Sequence, residues 1–191
     1  MKRTEPLLLG ITGAFGSGKS TAAAFFAARG FRIIRLSSYL EEELKKHQKG
    51  TITRKMLQDA GNTLREREGA GSLAKKALQQ IEGEKLKQVV IDGIRNVAEV
   101  EELYTNPNFV LMAIVADRQV RLERLQKNPR RETLDAKTFA QLEYRDLGVG
   151  EKETGLQVGM CIALADVFVE NNGIEEALEE KLTPYLDERT V

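Results

Sequence analysis

Cysteine and histidine occur once each in these 191 residues, as Cys161 and His47. A single thiol forms no internal disulfide, and this usage fits a reduced, cytoplasmic setting. Cys161 lies in the apolar run Met160 to Ala165, where a free cysteine behaves as a small buried hydrophobe. A lone histidine with no cysteine cluster offers no ligand set for a structural metal, so His47 reads as a solvated helix end. Net charge is also missing: 29 basic and 29 acidic residues cancel, which leaves no global field for nucleic acid or an anionic membrane. Any phosphate affinity must be local. No apolar run approaches the roughly 20 residues of a membrane span, and the start Met-Lys-Arg-Thr-Glu-Pro lacks the layout of a signal peptide. The chain shows neither an internal repeat nor a low-complexity tract, and its length leads us to expect one domain with a sizeable core.

Against these absences stands one dense signal, Gly13-Ala14-Phe15-Gly16-Ser17-Gly18-Lys19-Ser20-Thr21. Gly13, Gly18, Lys19 and Ser20 satisfy the phosphate-loop spacing of glycine, four residues, glycine, lysine and serine or threonine. The run Leu7 to Ile11 before it reads as a buried strand, and Lys19 to Arg29 after it as a helix closed by Gly30. Gly13, Gly16 and Gly18 let successive N–H groups turn inward, which makes a nest for phosphate oxygens at a helix N-terminus. Lys19 is placed to bridge the β- and γ-phosphates, and the Ser20 hydroxyl to ligate Mg2+.

Downstream, Phe31 to Leu36 reads as a second strand. Ser37 and Ser38 follow as cap candidates, Ser38 pairing with Glu41 in a capping box for a helix to about Lys46. Thr53 caps a helix running to about Arg67, on which Arg54, Gln58 and Arg65 share one face at offsets of four and seven. That face, opposite a phosphate loop, is a candidate acceptor site. Another helix runs from Ser72 to about Ile81. Gln88 to Asp92 is a third strand ending in a carboxylate, placed to hold magnesium beside Ser20. Asn96 and Glu99 form a capping box for Val97 to Tyr104. Phe109 to Val115 is a fourth strand, and Asp117 opens a helix carrying Arg118, Arg121 and Arg124. A basic turn with Arg130 and Arg131 precedes a helix from Asp135 to Leu147. The arginines suit a cover over a transferring phosphate, or helix-face ion pairs with Glu123, Glu132 and Glu143; both are expected. Leu156 to Ala165 reads as a helix, Asp166 to Val169 as a fifth strand and Ile174 to Leu182 as the last helix. Strands alternating with helices give an α/β fold, a parallel sheet covered on both faces with ligands at the carboxyl ends of its strands.

Four of these stretches, Gly13 to Thr21, Asp92-Gly93-Ile94-Arg95, Arg118 to Arg131 and Ala165-Asp166 to Gly173, together resemble the P-loop kinases of small molecules, the nucleoside monophosphate kinase group. The resemblance implies a P-loop three-layer sandwich with strand order 2-3-1-4-5, an acceptor-binding helical segment at about 37–87 and an Arg-rich lid at about 126–150. It implies ATP and Mg2+ as cofactors, Asp92 linked to the metal, Arg95 gripping an acceptor phosphate, and Asn172 and Gly173 against the adenine. Shorter runs, Leu57 to Asn62, Asp92 to Val100 and Ile162 to Asp166, are similar to poorly characterised kinase-like proteins, deoxynucleoside monophosphate kinases, dephospho-coenzyme A kinases and the P-loop domain fused to some deoxycytidylate deaminases.

There is one departure. Where dephospho-coenzyme A kinases carry an aspartate after the second strand, this chain has Leu36-Ser37-Ser38-Tyr39, and serine does not replace a carboxylate as base at neutral pH. A phosphate acceptor, with a second pKa of about 6, needs no strong base. The expected activity is therefore ATP-dependent phosphorylation of a nucleoside monophosphate or related phosphorylated metabolite. Lys19, Asp92, Arg95, Arg130 and Arg131 would act on the transferring group, and Arg54, Gln58, Arg65 and Arg95 on the acceptor. The alternatives are hydroxyl phosphorylation of the dephospho-coenzyme A kinase type and a nucleotide-sensing module with little turnover.

Overall fold

The computed structural model describes residues 6–47, 50–127 and 134–186. Its first strand, β1 (Leu7–Thr12), is buried along its whole length, as an apolar run flanked by partners on both edges must be. Gly10 makes room inside it, because a Cβ there would lie 2.6 Å from the ring of Phe109. The chain continues through α1 (Lys19–Ala27), β2 (Arg32–Arg35), α2 (Leu36–His47), α3 (Arg54–Glu68), α4 (Ser72–Gly83), β3 (Gln88–Asp92), α5 (Val97–Leu103) and β4 (Phe109–Val115). Then follow α6 (Arg118–Lys127), α7 (Ala136–Leu147), α8 (Val158–Ala163), β5 (Val167–Glu170), α9 (Glu175–Leu182) and a short 3-10 turn. The strands form one sheet in the order β2-β3-β1-β4-β5, parallel at every pairing. This is the P-loop three-layer sandwich.

Each face of the sheet has its own core. On one side Leu36 and Leu40 of α2, Leu73, Ala74, Ala77 and Ile81 of α4, Val100 and Leu103 of α5 and Cys161 of α8 pack on Leu8, Val89, Ile91 and Leu111. On the other, Ala22, Ala23, Phe25 and Phe26 of α1 and Leu178 and Leu182 of α9 cover Leu7, Leu9, Ile11, Val90, Met112 and Ile114. A third cluster stands at the carboxyl ends of the strands, where Phe15 meets Leu125 of α6, Leu134, and Phe139 and Leu142 of α7. Burial pushes the Cys161 thiol up to about 12, which makes it an inert core residue.

Several boundaries differ from expectation. β2 ends at Arg35 and α2 begins at once with Leu36, because Leu36 and Leu40 bury one turn apart in the core. Ser37 and Ser38 therefore lie in the first turn, and the expected capping box is not formed. Ser38 Oγ instead donates to the Arg35 carbonyl at 2.6 Å. The helix expected from Leu156 shortens to Val158–Ala163, since Gln157 N–H is drawn away to the carbonyl of Arg95 at 2.7 Å. Elsewhere local signals hold: Thr53 caps α3 by accepting from Met56 N, and Asn96 with Glu99 completes the capping box of α5. His47 ends α2 as an exposed residue, 3.4 Å from Glu43.

Candidate phosphotransfer site

The loop between β1 and α1 lies at the carboxyl edge of the sheet, where helix N-termini and strand ends converge. Gly13 (φ 136°) and Gly18 (φ 102°) adopt backbone conformations reserved for glycine. A Cβ on Gly13 would stand 2.3 Å from the Ile114 carbonyl, and one on Gly18 would stand 2.1 Å from Asn171 Nδ2. No side chain caps α1, so its first N–H groups remain available to an anion. Asn171 Nδ2 donates to the Ser17 carbonyl at 2.8 Å, which fastens the loop to the end of β5.

Lys19 folds back on this loop, its Nζ donating to the carbonyls of Gly13 at 2.6 Å and Ala14 at 3.0 Å. Burial lowers its pKa from 10.5 to about 8; Arg95 and Arg121 push in the same direction, while Asp146 and Asp92 oppose them. A nucleotide's phosphates would supply the negative charge that this ammonium lacks.

A cleft of about 790 Å³ is lined by Gly16, Gly18, Lys19, Ser20, Thr21, Arg35, Ser37, Glu41, Arg54, Asp92, Arg95, Arg124, Asn171 and Gly173, among others. Asp92, nearly buried, pairs with Arg35 at 3.9 Å. The Ser20 hydroxyl and Asp92 carboxylate supply hard oxygen ligands to one cleft, the donor chemistry magnesium takes alongside water and phosphate. A smaller cavity of about 120 Å³ opens beside it, with Phe15, Ser37, Arg54, Gly93 and Arg95 on both linings.

The α3 face named from sequence does reach this smaller cavity: Arg54, Gln58 and Arg65 all line it. Arg65, however, is 2% exposed and gives Nε and Nη2 to Glu99 at 2.9 and 2.8 Å, leaving Nη1 unpartnered. Gln58 donates to the Leu142 carbonyl at 3.2 Å, and its Oε1 is also unpartnered. Arg95 pairs through Nη1 with Asp146. Glu99 instead receives the Arg95 main-chain N–H at 2.8 Å.

The arginines of α6 are engaged. Arg118 and Arg121 both pair with the buried Glu143 of α7, and Arg121 also donates to the Phe15 carbonyl at 3.4 Å. The ion-pair expectation thus holds for Glu143. Arg130 and Arg131 lie outside the described residues, as does Glu132. Arg124 donates to the carbonyls of Asn171 at 2.8 Å and Gly173 at 2.9 Å. Gly173 lines the cleft, whereas Asn172 turns its Oδ1 to the N–H of Asp117 at 2.7 Å.

Five site residues escaped the sequence reading. Arg35 looked like a strand residue, but its register with Asp92 sets it at the cleft. Glu41 looked like a cap partner, yet it faces the cleft and accepts from Ser37 Oγ at 3.4 Å. Asn171 stands beside the expected Asn172, and Arg124 was visible only as one of a row of arginines. Asp146 carried no signal, because only the packing of α7 brings it behind Arg95.

Comparison with known proteins agrees with this architecture. A family described as an AAA domain matches residues 9–145. The chain is 31% identical over 180 residues to a UPF0200 protein of Sulfurisphaera tokodaii, covering 94% of this chain and 95% of that one. It is 34% identical over 181 residues to a UPF0200 protein of Methanocaldococcus jannaschii, covering 91% and 86%. Among solved structures, a shikimate kinase from Bacteroides thetaiotaomicron superposes with a TM-score of 0.59 at 18% identity, over 94% of this chain and 98% of that one. A putative kinase from Chloroflexus aurantiacus gives 0.59 at 14% identity, over 96% and 98%. At these identities the structural likeness concerns the fold.

Proposed function

The chain belongs to the UPF0200 family and carries an AAA domain, and from that premise we propose that it is an ATP-dependent phosphotransferase acting on a nucleoside monophosphate or a related phosphorylated metabolite. The observation that carries this reading is the pair of adjoining cavities. One is centred on the phosphate loop, the other is backed by α3, and Arg54 and Arg95 stand at their junction. A nucleotide-hydrolysing or sensing loop needs the first compartment only.

In this reading the loop N–H groups and Lys19 hold the triphosphate, while Arg95 and Arg54 hold the acceptor with one oxygen in line with the γ-phosphorus. That oxygen forms the new P–O bond as the bond to the β-phosphate oxygen breaks, and ADP leaves. Catalysis is positioning and charge stabilisation. Ser20 and Asp92 would hold Mg2+, which neutralises charge on the β- and γ-phosphates. Phe15 and Leu156 in the smaller cavity exclude water from the acceptor. Gln58 and Arg65, each with an unpartnered polar atom there, would meet the rest of the acceptor, and Gly173 the adenine side. A hydroxyl acceptor is a second reading, favoured by the contact of Ser37 with Glu41. It places a carboxylate beside the serine that replaces the expected aspartate.

The test is ADP formation with MgATP against the common ribo- and deoxyribonucleoside monophosphates and dephospho-coenzyme A. Turnover that depends on one monophosphate is expected. Arg95→Ala should lower kcat/KM for that acceptor roughly tenfold to a hundredfold, with ATP affinity little changed. Equal ADP release with and without every acceptor would sink the kinase reading in favour of a nucleotide sensor, and selective use of dephospho-coenzyme A would select the hydroxyl reading.

A further inference from the structure

Asp146 is fully buried on α7, yet its carboxylate joins a side chain that lines both cavities. Its Oδ1 accepts from Arg95 Nη1, and its Oδ2 is buried without a partner. A buried carboxylate with one oxygen unsatisfied is costly, and well-packed apolar residues in such a place often serve stability better. Arg95 does not need the pair for its own solvation, since its side chain remains 30% exposed. Stability therefore gives no reason for Asp146.

The main chain of Arg95 is pinned on both sides, its N–H by Glu99 at 2.8 Å and its carbonyl by Gln157 N at 2.7 Å. With the backbone fixed and Nη1 drawn to Asp146, the orientation of the guanidinium is set from behind. Nη1 carries the only side-chain hydrogen bond of Arg95 among the described residues, so the Nε and Nη2 edge remains open. Paired N–H groups on one planar edge match two oxygens of a phosphate.

We propose that Asp146 is a positioning residue, which holds the Arg95 guanidinium so that its open edge receives the oxyanion of the acceptor. The proposal rests on the kinase reading above for the identity of that oxyanion. Asp146 also acts on the charge of Lys19, which places it within electrostatic reach of the phosphate loop.

Orthophosphate titrated into protein loaded with magnesium ADP, followed by the amide shifts of Gly93 and Arg95, stands in for the acceptor phosphate. Asp146→Leu is expected to weaken orthophosphate about tenfold. Asp146→Asn, whose Oδ1 still accepts from Nη1, is expected to weaken it no more than about threefold. Neither should lower Tm, and in an Arg95→Lys background Asp146→Leu should add no further loss, because both changes act through one guanidinium. Unchanged orthophosphate affinity in Asp146→Leu, or additive losses in the double variant, would overturn the assignment, and so would a lowered Tm with binding per folded molecule intact. Orthophosphate results as expected without any acceptor-dependent ADP formation would remove the kinase reading alone. Acceptor-dependent turnover with unchanged orthophosphate affinity in Asp146→Leu would remove Asp146 alone.

Discussion

Lys19 shows how one side chain is tuned by what surrounds it. The residue is half-buried, its ammonium held among Gly13 and Ala14 carbonyls with Arg95 and Arg121 nearby. Its pKa of about 8 in the folded protein lies below the ordinary 10.5. Between these values the unfolded chain binds more protons than the folded one, so Lys19 contributes a stability that rises with pH across that window. Function runs the other way. As pH rises through about 8, the free protein loses the charge that the proposed function sets against the phosphates, and on that reading ATP affinity is expected to fall. Bound phosphates should hold the proton and shift that limb upward. ATP binding measured from pH 7 to 10 checks this, and a flat profile would place Lys19 away from the phosphates. Lys19→Ala should lower turnover 10²-fold or more, as for other electrostatic groups of this kind, and retention of about a tenth of the activity would contradict its role.

At the level of the single element, α5 carries more than its length suggests. Asn96 accepts from Ala98 N at 2.9 Å as the N-cap. The same amide donates to the carbonyls of Glu153 at 2.8 Å and Gly155 at 2.7 Å, so one residue starts the helix and ties down the segment before α8. Replacing an N-cap costs about 0.5–2 kcal/mol. Asn96→Ala should fall near the upper end, about 2 kcal/mol, because the buried Gly155 carbonyl and the Glu153 carbonyl also lose their donor. Urea denaturation would measure it. A loss below about 0.5 kcal/mol would mean that water replaces the amide.

Across the whole molecule, α7 couples the site. Phe139 meets Phe15 of the phosphate loop edge-on at 5.3 Å, Glu143 holds Arg118 and Arg121, and Asp146 holds Arg95. Arg145 reaches Asp59 of α3 at 2.5 Å and Glu151 at 2.7 Å. The helix expected to belong to a cover is thus bonded to the phosphate loop, α3 and Arg95 together. Phe139→Ala should destabilise the fold by about 3–5 kcal/mol, the range for removing a buried aromatic ring, and weaken ATP binding in the molecules that remain folded. Chemical denaturation with ATP titration checks both, and unchanged ATP affinity would show that the phosphate loop stands without α7.

The architecture was legible in the chain because its determinants are local or periodic. Apolar runs, glycine spacing and the caps at Thr53 and Asn96 carry strand, loop and helix in adjacent residues, and the phosphate loop is a single contiguous word. The strand order followed from resemblance, and the pairings of β1 with β3 and β4 agree with it. Partnerships between charged side chains were not legible, since an arginine's partner depends on which elements pack against it. Glu99, four residues from Arg95, pairs with Arg65, while Arg95 pairs with Asp146, 51 residues away in sequence. Arg35 and Glu41 reach the cleft because β2 lies in register with β3 and turns directly into α2. Sequence alone determined where the phosphate loop stands, because that cradle is built from consecutive backbone groups; tertiary structure decided which charges surround it, because ion pairs form between segments that only packing brings together.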